Sequence, residues 1–156
     1  MHIRLIAVGD RQPSWVDTAF KNYSQRLPQQ WQFRLELLAT APRTRNTDAK
    51  TAKIAEGQKV LAKIKAPECV VVLDERGKEF SSQELAARLD DWQSDGRDLV
   101  FVIGGPDGLS EECMDRADLR WSLSRLTLPH GLARVMFAEQ LYRAWSLTTG
   151  HPYHRS

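Results

Sequence analysis

Two short runs, Cys69-Val-Val-Val-Leu73 and Leu99-Val-Phe-Val-Ile103, are apolar at every position. A strand with one wet face alternates apolar and polar residues, so these runs read as strands buried on both faces. Sheets covered on both faces are built from parallel strands joined by helical crossovers. The rest of the chain supplies such units. Residues 2–8 and 31–39 read as further strands. Between them Val16, Ala19, Phe20, Tyr23 and Leu27 recur at helical spacing after Pro13-Ser14. A second helix runs to about Lys65 with Ile54, Leu61 and Ile64 on one face. A third begins at the capping box Ser81/Glu84 and stops before Asp95-Gly96. A short helix over 110–117, a strand over 119–123 and a long helix over 132–148 complete the pattern. The fold class is α/β: an open, mostly parallel sheet of about five strands with helices on both faces.

The 156 residues suffice for one core, and the expectation is a single domain over residues 1–156. No stretch reaches the roughly 18–20 apolar residues of a membrane span. The opening residues read as a strand rather than a secretory signal. Cys69 and Cys113 follow no pairing pattern, so two reduced thiols in a cytoplasmic protein are expected. The formal charge of +2 hides a division. The last 41 residues carry six arginines (116, 120, 125, 134, 143 and 155) against Asp118 and Glu139, a balance of +4. Arginine's planar fork suits phosphates and stacks on bases, so an anionic polymer is a natural partner. Residues 41–53 hold Arg43, Arg45, Lys50 and Lys53 against Asp48, and their first part reads as a mobile basic loop leading into the second helix.

Gly104-Gly-Pro-Asp-Gly108 sits at the carboxyl end of a strand, where open parallel sheets bind ligands. It is neither a dinucleotide fingerprint nor a phosphate loop, since Gly-Lys-Ser/Thr is absent. By itself it equally suits a tight turn. The connection Leu123-Ser-Arg-Leu-Thr-Leu-Pro-His130 is unusually apolar for an exposed loop and suits a pocket, a subunit interface or a core crossover. With Leu73-Asp74 these strand ends make a slot better suited to a flat adenine than to a triphosphate.

Four segments carry a resemblance: Gly104-Gly-Pro-Asp-Gly108, Trp121-Ser-Leu-Ser-Arg-Leu-Thr-Leu-Pro-His130, Ala138-Glu-Gln-Leu-Tyr-Arg-Ala-Trp145 and His151-Pro-Tyr-His-Arg155. Together with Leu5-Ile-Ala-Val-Gly9 and Pro13-x-Trp15, they resemble the RlmH (YbeA-like) methyltransferases, small members of the SPOUT class. Asp107 stands where glutamate is more usual. The resemblance implies methylation of N3 of a pseudouridine in 23S large-subunit ribosomal RNA, on the ribosome. It implies a C-terminal trefoil knot, which generic topology rules disfavour. It implies S-adenosyl-L-methionine held by Leu73, Gly104, Gly105, Leu123, Ser124, Arg125, Leu126, Thr127 and Leu128. It also implies a homodimer in which one subunit's tail completes the other's site.

The acceptor N3–H must lose its proton, so a base, or cations facing the imide anion, is required. The candidates are Glu139, Arg143, Tyr153, His154 and Arg155. Glu139 and Arg143, spaced i, i+4, equally suit a plain helix ion pair. The polar tail after Gly150 suggests no role in the core. His151 and His154 lack further ligands at zinc spacing, so no metal is expected. A non-catalytic ribosome-binding factor and a generic nucleotide-binding enzyme are the competing readings.

Overall fold

The computed structural model describes residues 1–9 and 11–154. Five strands, β1 (Ile3–Val8), β2 (Arg34–Leu38), β3 (Cys69–Glu79), β4 (Leu99–Ile103) and β5 (Leu119–Ser122), form one sheet in the order β2-β1-β4-β3-β5. Every pairing is parallel. The helices are α1 (Ser14–Ser24), α2 (Ala49–Lys63), α3 (Ser82–Asp95), α4 (Glu111–Arg116) and α5 (His130–Thr149), with a 3₁₀ turn at Gln29–Trp31.

Residue parity explains the unalternated runs. Leu5, Ala7, Val71, Leu99, Phe101 and Ile103 face one core, which holds Phe20 of α1, Leu89 of α3 and Phe137 of α5. Ile6, Val8, Val70, Val72, Val100 and Val102 face a second core with Val60 of α2 and Cys113 of α4. Odd residues fill the first layer and even residues the second. Gly57 lets α2 approach the start of α4 closely in the second layer: a Cβ there would lie 2.2 Å from Ser110 Oγ of the α4 cap. Phe101 centres the thicker layer, its ring 4.8 Å from Phe137, 5.8 Å from Trp92 and 6.1 Å from Trp121.

Local chemistry sets most boundaries. Ser81 accepts from Glu84 N–H at 3.1 Å, and Gly96 ends α3 at φ 80°. Helix α1 stops at Ser24 and tightens through the Arg26 and Leu27 N–H bonds to the Tyr23 and Ser24 carbonyls, and Pro28 bars Leu27 from continuing it. The second strand is shorter than expected, since Trp31 closes the 3₁₀ turn and Gln32 is left-handed at φ 46°. The expected face of α2 is corrected in part. Ala52, Glu56, Gly57 and Val60 are buried. Leu61 and Ile64 pack partly buried against the second core as expected, and Ile54 is exposed. Strand β3 runs past the expected stop at Asp74, with a register shift between Leu73 and Lys78 against β5. Both cysteines are buried and free, and burial raises their thiol pKa values. Among the described residues, no helix is long and apolar enough to cross a membrane.

Phe101→Ala should cost about 3–5 kcal/mol, read from the urea midpoint, because no neighbouring ring can collapse into its place. A loss below about 1 kcal/mol would contradict the two-layer core.

Candidate active site

The carboxyl ends of β1 and β4 lie side by side, and the chain leaves them in opposite directions, toward β2 and β5. This is the topological switch point at which open α/β sheets hold ligands. Here the first turn of α5 fills it. Arg134, 1% exposed, donates from Nε to His130 Nε2 at 2.9 Å and from Nη2 to the Gly9 carbonyl. His130 Nδ1 lies 3.1 Å from the Gly104 carbonyl. With Nε2 accepting from the guanidinium, Nδ1 carries the proton and donates to Gly104. Burial, reinforced by the Arg134 charge and opposed by the Gly104 hydrogen bond, pushes His130 down to about 4. Both ring nitrogens are used, so the histidine offers no lone pair to a substrate.

The glycine loop is also held from the α2 side. Arg43 donates to Asp107 at 2.9 Å and to Glu56 at 2.7 Å, and Glu56 also accepts from Ala41 N–H at 2.9 Å. Glu56 is 2% exposed. The segment expected to be a mobile basic loop is therefore anchored at Arg43. A Cβ on Gly105 would meet Glu56 Oε1 at 2.8 Å, and one on Gly104 the Gly108 backbone at 2.7 Å. These glycines serve the loop's own packing, and Gly104→Val would distort the turn rather than fill an open ligand face.

The other expected cofactor residues gather on the β3–β5 side. Leu73 pairs with Ile103 in one ladder and with Trp121 in the other. Ser122 Oγ donates to the carbonyls of Glu75 and Ser124, and Thr127 Oγ1 donates to Glu75 at 2.8 Å. Leu123, Ser124 and Leu128 are half-buried, whereas Leu126 is 74% exposed. Arg125 turns outward to Glu79 at 3.4 Å, so its charge lies away from the loop.

The tail docks, against expectation. Gly150, at φ 71°, caps α5 and reverses the chain, with His151 N–H donating to the Ser146 carbonyl. Tyr153 lands against the first core, its ring 4.7 Å from Tyr142, and donates to Glu139 at 2.9 Å. Burial, then the Glu139 hydrogen bond, raises its phenol well above the ordinary tyrosine value, so it stays protonated. Glu139 also accepts from Arg143 Nε at 2.9 Å and from Gln140 at 2.8 Å. Ser146 spends its hydroxyl proton on the Arg143 carbonyl at 2.8 Å, so it accepts from His154 Nδ1 at 3.1 Å. That leaves the His154 Nε2 lone pair open. His154 lines a cavity of about 420 Å³ with Ser82, Gln83, Gln140, Arg143 and Leu147. Arg155 lies outside the described residues.

One protomer does not unite the two groups. The loops expected to hold a cofactor meet the start of α5, while Glu139 to Ser146 lie roughly 13–24 Å further along at 1.5 Å per residue. Four arginines of the basic end lie beside carboxylates: Arg116 with Asp118, Arg120 with Asp115, Arg125 with Glu79 and Arg143 with Glu139, the Arg120 and Arg125 pairs being solvent-exposed. A second cavity, of about 290 Å³, lies at the opposite, amino-terminal ends of the strands beside the Arg4–Glu68 and Arg4–Glu36 pairs, away from the glycine loop. Among the described residues, no three His, Cys, Asp or Glu side chains converge as a metal group.

A family model described as "Predicted SPOUT methyltransferase" matches residues 1–154. The chain belongs to the SPOUT methyltransferase family. It is 51% identical over 155 residues to "Ribosomal RNA large subunit methyltransferase H" of Thioalkalivibrio sulfidiphilus, covering 99% of both chains. It is 48% identical to the protein of the same name from Methylococcus capsulatus, covering 99% of this chain and 100% of that one. The fold also matches a probable methylase family protein of Haemophilus influenzae Rd KW20 with a TM-score of 0.56. That match is 11% identical and covers 99% of this chain and 70% of the other. Sequence reasoning missed how Arg134, Glu56 and Arg43 serve this SPOUT glycine loop. The only hint was the i, i+4 spacing of His130 and Arg134.

The His130 shift has a signed consequence. The unfolded chain takes up the proton near the ordinary value of 6.5, the folded chain only near 4. Stability is therefore full above about pH 6.5 and falls by roughly 3 kcal/mol as pH drops toward 4. Urea midpoints from pH 7.5 to 4.5 should fall more steeply for wild type than for His130→Gln. Equal slopes would contradict a buried neutral ring.

Proposed function

We propose that the protein is a single-domain, homodimeric methyltransferase that uses S-adenosyl-L-methionine to methylate N3 of a pseudouridine in large-subunit ribosomal RNA. The reading places it in the cytoplasm, acting on the ribosome. Its main support is the near-half identity, over the whole length, to relatives named as large-subunit rRNA methyltransferases. The knot is part of the same reading, supported by the way residues 122–127 bond to Glu75 before α5 enters beside Gly104.

The loop chemistry fits the cofactor. When bound, S-adenosyl-L-methionine supplies an electrophilic methyl group on a positively charged sulfur. Leu73, Gly104, Gly105 and residues 123–128 offer apolar surface and backbone carbonyls, and the outward turn of Arg125 spares the sulfur a nearby like charge. On the tail side, His154 Nε2 takes the N3 proton and Arg143 faces the imide anion. Glu139, already accepting from three side chains, holds Arg143 and Tyr153 in place.

The separation along α5 is the reason for a dimer: a partner's loops must meet this protomer's tail. Exposed Trp15 (53%), Leu126 (74%) and Leu132 (41%) give a partner apolar surface to cover.

Labelled methyl should pass from S-adenosyl-L-methionine to ribosomes carrying pseudouridine at the target and not to those carrying uridine. Ribosome binding without transfer would instead mark a non-catalytic factor. His154→Ala should lower kcat by about 10²–10⁴-fold while cofactor affinity holds, the usual weight of a general base. A loss under about threefold would remove His154 from proton transfer.

A further inference from the structure

We propose that His130 is a positioning residue for the cofactor: its imidazole, oriented by Arg134, fixes the Gly104–Gly105 peptide plane of the glycine loop. The inference rests on reading that loop as the cofactor site. Two adjacent glycines have the widest backbone freedom of any pair, so an unclamped peptide there would sample several orientations. The described peptides are all trans. Pinning the Gly104 carbonyl on His130 therefore turns the Gly105 N–H to the opposite side, away from the first turn of α5.

The clamp is built for one orientation. Arg134 can only donate, so its Nε–H makes His130 Nε2 the acceptor and leaves the proton on Nδ1. The same arginine holds the Gly9 carbonyl, which sets the ends of β1 and β4 against one buried reference. A plain structural strut would need only bulk. Here each ring nitrogen has a separate partner, and the two functions are separable by mutation. In His130→Asn the amide nitrogen falls near the Nδ1 position and keeps the donor to Gly104. In His130→Gln the amide falls near Nε2, keeps a partner for Arg134 and loses that donor.

Calorimetry on the full chain with S-adenosyl-L-methionine, alongside thermal unfolding, tests the proposal. His130→Gln should weaken binding about tenfold, the weight of one hydrogen bond, and His130→Asn by less than about threefold, with similar drops in Tm. Equal losses in the two variants, or losses that follow Tm, would overturn it. On the wild type, nitrogen-15 spectra should place the His130 proton on Nδ1, and a proton on Nε2 would overturn it without any variant. A folded wild type that binds no S-adenosyl-L-methionine would remove the cofactor reading, and the proposal with it.

Discussion

Burial of the sheet on both faces is the constraint from which the rest of the molecule follows. Because odd residues of the central strands fill one layer and even residues the other, neither face has room for a ligand. Chemistry is confined to the strand ends, where backbone groups leave the ladder. The crevice usual for such sheets is closed by His130 and Arg134, with the Gly9 and Gly104 carbonyls as their acceptors. The glycine loop is thereby held for the β3–β5 side, where Leu73 and residues 123–128 collect.

Helix α5 then acts as a spacer. Its first turn touches the glycine loop, while Glu139 at its middle, Arg143 and the reversed tail lie further along. A continuous helix cannot fold its ends together, so the glycine loop and the Glu139–His154 cluster stay apart within this chain, and the proposed shared site rests on that separation. Charge follows the same division. Arg116, Arg120, Arg125 and Arg143 each lie beside a carboxylate, the Arg120 and Arg125 pairs exposed to solvent, while His154 Nε2 is left open on the tail side.

The sheet was legible because unalternated runs have one physical meaning, and Gly96, Pro28 and Ser81 marked ends by local sterics and capping. The glycine and Leu123–Leu128 loops were legible as strand ends and through family resemblance. The docked tail was not. Gly150-His-Pro signals a chain reversal, but where Tyr153 lands depends on Tyr142 and Glu139, which tertiary packing brings to it. Arg134 was hidden for a similar reason: a buried arginine reads as a surface charge until the groups that hold it, among them the His130 ring and the Gly9 carbonyl, are known. Glu56 was missed because its partners, Arg43 and the Ala41 N–H, are brought to it only by the fold.

The central claim is that loops and tail act across a subunit boundary, and a mixed dimer tests it most directly. One chain would carry Gly104→Val, which distorts the glycine loop, and the other would lack residues 152–156. Each alone should be inactive on ribosomes. Exchanged in equal amounts, they should recover about a quarter of wild-type activity, since half of the dimers are mixed and each holds one intact site. No recovery from folded, exchanged dimers would contradict a site shared between protomers and return the chemistry to a single chain.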